Sequence, residues 1–389
     1  MKNNTLSPTQ KVLLTAYIGS ENLGDEAICE SLIYDLTKEH IEITAVSKNT
    51  EKTEKLGVHA ARLFSQGFFK SLKDADLVLL GGGGILQDET SIYNIPYFII
   101  QILLAQLLRK KTMFVAIGAG PINGTVGRFL TSLAMKKINA ITVRDTYSYN
   151  VLRKLGADKE KMDIVTDPAI ALSYKDVKRP HDIPNEFPER GYILVCLRHW
   201  FDLNRFLPVA LSNKLALSYK GKKYYRDFII TISKCLDLIV KETSLSIIFF
   251  PFYGSKDIKV NRDALQEMEC KDKAFLIKEP QQIQSFCYLS NDAEFVISMR
   301  LHSAVLSAAQ NKPSIALSYS PKVKEFMQSL GMERFALDLN GINEKSILTL
   351  ARDILQNKAA LHTEIKKSVI RLQEAHRKNI DIILDHVKN

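Results

Sequence analysis

The chain has little cysteine, a single tryptophan and no uninterrupted apolar run of membrane-spanning length. Cys29, Cys196, Cys235, Cys270 and Cys287 are scattered, odd in number and mostly set in apolar helix or strand patterns. That usage argues against a disulfide framework and offers no zinc-ligand spacing, so a reducing cytoplasm fits best. The most hydrophobic stretch, Ile92–Leu108, is broken by Asn94, Pro96, Gln101 and Gln106. It falls short of the ~20 apolar residues a spanning helix needs and is expected to be a buried helix. Met1–Gln10 is polar, lacks the apolar core of a secretion signal and is expected to be a disordered start. There is no G-x-G-x-x-G dinucleotide turn, no G-x-x-x-x-G-K-[S/T] phosphate loop, no short repeat and no low-complexity tract.

A net charge of +10 points to anionic partners: phosphorylated metabolites, acidic membrane surfaces or nucleic acid. Nucleic acid fits least, because no helix-turn-helix, RNA-binding or zinc-finger signature accompanies the charge, and the basic residues are dispersed. A length of 389 residues with 46% hydrophobic content suits two domains. Val12–Tyr17, Glu42–Val46, Leu77–Leu80, Met113–Ile117 and Ala140–Val143 read as strands, with helices between most of them. A second set follows at Tyr192–Leu197, Leu245–Phe250, Ala274–Ile277, Phe295–Met299 and Ile315–Ser318. The alternation argues for an α/β fold with two mostly parallel, Rossmann-like sheets facing a cleft. The charged stretch between Lys175 and Gly191, with three prolines, is the best linker. The expected division is 1–175, a linker at 176–190, 191–360, and a bracing C-terminal helix at 361–389.

The chemistry gathers in Glu294–Lys324. A buried strand, Phe295–Met299, is followed by the corner Arg300-Leu301-His302 and a small-residue helix, Ser303–Gln310. Ile315–Ser318 then leads through Ser320-Pro321 to Lys322. Arg300, His302 and Lys322 are therefore expected at the carboxyl ends of two neighbouring parallel strands, where open α/β sheets bind ligands. Singly, each is readily explained by a surface ion pair or a helix end. Together, a two-pronged guanidinium, a mobile ammonium and an imidazole make a site for a small anion with a proton donor.

The first half offers further loops. Ile18–Ile28 joins a strand to a helix beginning near Asp25, with Asn22 suited either to a sugar hydroxyl or to a local turn, and Glu26 either to base catalysis or to the helix end. Gly81, Gly82, Gly83 and Gly84 follow the strand Leu77–Leu80 and strip it of side chains, which favours ligand contact against the backbone. Asp88 follows this run, and Arg144 adds a cation at the end of Ala140–Val143. Arg198-His199-Trp200 ends the first strand of the second half, with Trp200 fit to stack on a sugar or to pack at a hinge. Arg205–Arg226 mixes leucines, aromatics and basic residues, and reads either as a solvated loop with one buried helix or as an amphipathic element touching anionic lipid.

The segments GSENLGDEAI, LVLLGGGGILQD, AIGAGPI, ITVRD, TDPAIAL and SMRLHSAVLSAAQNKPSIALSYSPKV resemble the polysaccharide pyruvyl transferase family from about Val12 to Gly331. The resemblance implies a two-domain fold similar to GT-B glycosyltransferases. It also implies phosphoenolpyruvate as donor, and as acceptor a sugar of a cell-wall or exopolysaccharide precursor, lipid-linked in such pathways and met at the inner face of the cytoplasmic membrane. The family's donor-binding pattern falls on Arg144, Arg300, His302 and Lys322. Asn22, Asp25, the glycine run and Asp88 correspond to the acceptor side. The expected chemistry is protonation of the donor methylene by His302, capture by a sugar hydroxyl with Glu26 or Asp88 as base, and loss of phosphate to give a cyclic ketal without metal or organic cofactor. Two rivals share the composition: a GT-B glycosyltransferase using a nucleotide sugar, and a non-enzymatic protein binding anions or nucleic acid.

Overall fold

A computed structural model describes residues 10–388 apart from 173, 175–178, 181, 182, 184, 189, 190, 200–218 and 279–281. The start expected over 1–10 lies almost wholly outside these residues, as do Trp200, most of the linker and most of 205–226. In the first half, β1 (Lys11–Ile18), β2 (Glu42–Ser47), β3 (His59–Ala61), β4 (Leu77–Leu80), β5 (Gly83–Leu86), β6 (Lys111–Ala119), β7 (Ala140–Val143) and β8 (Met162–Ile164) form one sheet. Its order is β3-β2-β1-β4-β6-β7-β8, all pairs parallel, with β5 added against β6. The second sheet contains β9 (Tyr192–Cys196), β10 (Ser246–Phe249), β11 (Ala274–Leu276), β12 (Val296–Ser298), β13 (Ser314–Ser318) and β14 (Ala336–Asp338). It runs β11-β10-β9-β12-β13-β14, again parallel throughout.

Helices cover both faces of these sheets, which is why the central strands read as unbroken apolar runs: all of Leu77–Leu80 and all of Tyr192–Cys196 are buried. The helix Leu23–Lys38 starts two residues earlier than the sequence suggests. Asn22 is its cap, accepting the Gly24 N–H, while Asp25 and Glu26 place negative charge in the first turn. Ile92–Leu108 becomes the helix Asn94–Leu107, buried along one face only. Between Gly83 and Leu86 the glycine run continues as strand β5 rather than as a loop.

The C-terminal region divides into Glu344–Gln356 and the long helix Lys358–Lys388. The latter returns to the first half. Asn379 Oδ1 accepts from Thr142 Oγ1 at 2.7 Å, and His376 Nε2 lies 2.7 Å from Asp35 Oδ2. Apolar packing also joins the halves, since Leu14, Ala27, Val195, Ile297 and Ile383 belong to one continuous core. The expected α/β architecture, with two Rossmann-like sheets and a bracing C-terminal helix, is the one observed.

Candidate active site between the sheets

In both sheets the strand order reverses beside the first strand, between β1 and β4 in one and between β9 and β12 in the other. Outside the strand carboxyl ends at such a reversal lies the crevice where open α/β sheets bind ligands. A cavity of about 400 Å³ occupies this place, within the size range of small-molecule sites. Asn22 lines it from the loop after β1 and Asp25 from the first turn of the helix that follows, Gly84 from β5, Arg144 from the end of β7, Arg198 from the end of β9, Arg300 and His302 from the corner after β12, and Lys322 from beyond β13. The facing loops touch directly. The Leu23 N–H donates to the Phe252 carbonyl at 3.1 Å, and a Cβ on Gly24 would fall 2.0 Å from His302 Nδ1, so only glycine lets the helix start meet the imidazole.

Buried carboxylates hold the cations in place. Arg300 grips Asp257 with Nε and Nη2 at 2.5 and 2.8 Å, leaving the donors on Nη1 outside the fork. Arg144 donates from Nη1 to Asp167 Oδ2 at 2.8 Å. A Cβ at Gly118 would lie 2.8 Å from its Nη2, so that glycine makes room for the guanidinium. His302 Nε2 lies 3.3 Å from the same Asp167 oxygen, without an aligned hydrogen bond. Although burial opposes its charge, the His302 imidazole, Arg144 and the Ala169 N–H hold the Asp167 carboxyl well below the usual carboxylate range. Lys322 donates to the Gly120 carbonyl at 3.0 Å. Burial, then the neighbouring Arg144, pulls its amine down to about 8. Arg198 lies with its guanidinium carbon 4.6 Å from the Tyr319 ring and donates to that tyrosine's hydroxyl.

Asp25 behaves in the opposite sense to Asp167. Burial pushes its carboxyl above the ordinary value, against the opposing pull of His302, Arg144 and Arg300. It accepts from the Asn22 side-chain amide. The cavity thus combines four cations, an imidazole and a carboxyl whose proton is held more tightly than usual. Such a set can seat a small multivalent anion and move protons at its edge.

Eight of the residues singled out from sequence meet at this cavity: Asn22, Asp25, Gly84, Arg144, Arg198, Arg300, His302 and Lys322. Glu26, Gly82, Gly83 and Asp88 do not line it. Glu26 accepts the Ser20 N–H at 3.0 Å and faces Lys52 at 3.8 Å. Asp88 accepts the N–H groups of Asn123 and Gly124 at the start of the helix Thr125–Met135. Both carboxylates expected as bases are thus engaged by backbone N–H groups away from the cavity; adjacent helical positions project about 100° apart, and of Asp25 and Glu26 it is Asp25 that is turned inward. The glycine run is corrected likewise. A Cβ on Gly82 would strike Ile28 at 2.9 Å, and Gly83, at φ +102°, would bring one within 2.9 Å of Asp25 Oδ1, so both accommodate protein rather than ligand. Gly84 alone looks across ordinary contact distance, 3.6 Å to Arg144 Nη2 and 3.7 Å to Lys322 Nζ. Asp167 lies in the resembling segment TDPAIAL but was given no role there, and Asp257 was not singled out. The local signal for a role is no more than a carboxylate at a helix start, Asp167 before Pro168 and Asp257 in the first turn of Gly254–Glu267.

A family model described as polysaccharide pyruvyl transferase matches residues 22–321. The chain belongs to that family. This family member is 22% identical over 319 residues to the amylovoran biosynthesis protein AmsJ of Erwinia amylovora, an alignment covering 81% of this chain and 72% of AmsJ. Solved structures similar to it include a UDP-GlcNAc 2-epimerase from Neisseria meningitidis bound to UDP-GlcNAc, with a TM-score of 0.63 and 14% identity over 97% of this chain and 100% of that one. A glycosyltransferase from Rickettsia africae superposes with a TM-score of 0.62 and 13% identity, covering 98% of this chain and 100% of its own. At such identities the likeness carries the GT-B-like fold and no more. Among the described residues, no helix is long and apolar enough to cross a membrane.

Proposed function

We propose that this pyruvyl transferase family member moves pyruvate from phosphoenolpyruvate to two hydroxyls of one sugar in a lipid-linked polysaccharide precursor, forming a cyclic ketal and releasing phosphate. The observation that carries the reading is the convergence of Arg144, Arg300, His302 and Lys322, from three different strand ends, on one cavity. Phosphoenolpyruvate bears a phosphate and a carboxylate on a small enol, so its site needs cations on more than one side and a proton donor near the methylene. Arg144 and Lys322 approach Gly84 together and suit one anionic group, while Arg300 and Arg198 suit the other.

In this scheme the His302 imidazolium, stabilised by ionised Asp167, gives its proton to the methylene carbon. The neighbouring carbon becomes oxocarbenium-like, and a sugar hydroxyl adds to it as its own proton passes to Asp25. A second hydroxyl of the same sugar then displaces phosphate, which leaves with that hydroxyl's proton, and the proton on Asp25 passes back to His302, so both groups are restored. The balance is one donor and one diol in, one ketal and one phosphate out. No step calls for a metal or an organic cofactor.

The test is incubation with phosphoenolpyruvate and a panel of lipid-diphosphate disaccharides. Acceptor-dependent phosphate release with a matching mass gain on the acceptor is expected. Release of a nucleoside diphosphate from a nucleotide sugar, with none of phosphate from phosphoenolpyruvate, would replace the reading with glycosyl transfer.

A further inference from the structure

The helices Asn94–Leu107 and Thr125–Met135 lie side by side on one face of the first sheet, and both begin at the strand ends that border the cavity. Their outer faces are apolar where solvent should favour polar side chains. Leu107 is 76% exposed, Phe129 65%, Val126 64% and Tyr93 52%, with Ile100 and Leu133 exposed between them. Monomeric proteins seldom leave so many large apolar groups together in water unless something covers them. The two helices and the turns that flank them carry charge of one sign. Between Glu89 and Asp145 there is no acidic residue, whereas Arg109, Lys110, Arg128, Lys136 and Lys137 stand beside or at the ends of these two helices. None of these five enters an ion pair among the described residues.

We infer that this two-helix face docks on an anionic lipid bilayer, with the apolar stripe entering the headgroup boundary and the basic ends meeting lipid charge. An apolar face whose own two helices and flanking turns carry cations and no carboxylate matches that surface in both respects. Asn94, at the start of the first helix, also lines the cavity, so the bilayer would lie against the mouth of the site. The use of this docking, to present a lipid-linked sugar to the cleft, rests on the pyruvyl-transfer reading. The docking itself rests on the surface alone.

Sedimentation of the full chain with vesicles of phosphatidylcholine and phosphatidylglycerol tests it. Binding should weaken as salt rises and be lost with phosphatidylcholine alone. Leu107→Ser with Phe129→Ser should cut vesicle affinity by about tenfold or more, and removing Arg128, Lys136 and Lys137 charges as glutamines by about fivefold each. Both variants change exposed positions, and phosphate release from phosphoenolpyruvate with a short-chain, water-soluble sugar diphosphate should stay at the parent level. Absence of salt-sensitive binding, or equal binding by parent and variants, would overturn the inference. So would sedimentation equilibrium showing a parent dimer that Leu107→Ser with Phe129→Ser dissociates, because the face would then belong to a second copy. Failure of phosphoenolpyruvate turnover with vesicle binding intact would strike the catalytic reading and leave the docking standing.

Discussion

Lys322 carries a cost that a purely structural lysine would not, and that cost has a measurable pH signature. In the folded protein its amine titrates at about 8 rather than at the ordinary 10.5, because burial and Arg144 disfavour the charge. The unfolded chain keeps that proton to about 10.5, so between the two values it binds more protons than the native state and stability rises with pH. Below about pH 8 both states hold the proton and the penalty is fully present. The displacement corresponds to about 3 kcal/mol, of which ~2–3 kcal/mol should be recovered between pH 7 and pH 10. Lys322→Met removes this titration while leaving the other lysines and tyrosines to titrate in parent and variant alike. Urea denaturation of both proteins across that range should therefore show the stability difference shifting toward the parent by that amount. In the parent, kcat/KM for phosphoenolpyruvate should fall as pH passes above about 8, as the ammonium that meets the donor is lost. Stability curves that run parallel from pH 7 to pH 10 would refute the assignment of a strained cation to the cavity.

Other perturbations separate chemistry from scaffold. His302→Ala should lower phosphoenolpyruvate turnover by ~10²–10⁴-fold, measured by phosphate release, and turnover within a few-fold of the parent would remove it as the acid. Gly84→Ala adds a methyl at ordinary contact distance from Arg144 and Lys322, so thermal melting should be unchanged while kcat/KM for the donor drops about tenfold. Gly24→Ala would instead press on His302 and should lower both the melting temperature and activity. Arg300→Met strands Asp257, whose side chain is fully buried, and should destabilise by about 3–5 kcal/mol in urea; adding Asp257→Asn should recover part of the loss.

The central strands were legible because burial on both faces writes them as apolar runs, and Leu77–Leu80 and Ala140–Val143 appear in the structure with the bounds read from sequence. The edge strands His59–Ala61, Met162–Ile164 and Ala336–Asp338 were not. Each is three residues long and only partly buried, too short for period 2 or continuous apolarity to stand out; the fourth edge strand, Ala274–Leu276, is as short but was legible because its apolar run continues into buried Ile277. The corner Arg300–His302 and Lys322 were legible for a related reason, since the strand before each fixes where the next residues must emerge. Asp167 and Asp257 were hidden because their partners lie far along the chain: Asp257 is 43 residues from Arg300, and Asp167 is 23 from Arg144. Pairing across that distance is a property of the folded sheets. Asp25 and Glu26 pose the local version of the same difficulty. Both suit the first turn of a helix, and only the packing of that helix decides which one faces the cavity.

Which donor the cavity holds is most directly tested by calorimetric titration of the parent and the Lys322→Met variant with phosphoenolpyruvate and, separately, UDP-N-acetylglucosamine. The account predicts binding of phosphoenolpyruvate by the parent, at least tenfold weakening in the variant, and no nucleotide-sugar binding. Saturable binding of the nucleotide sugar with none of phosphoenolpyruvate would contradict it.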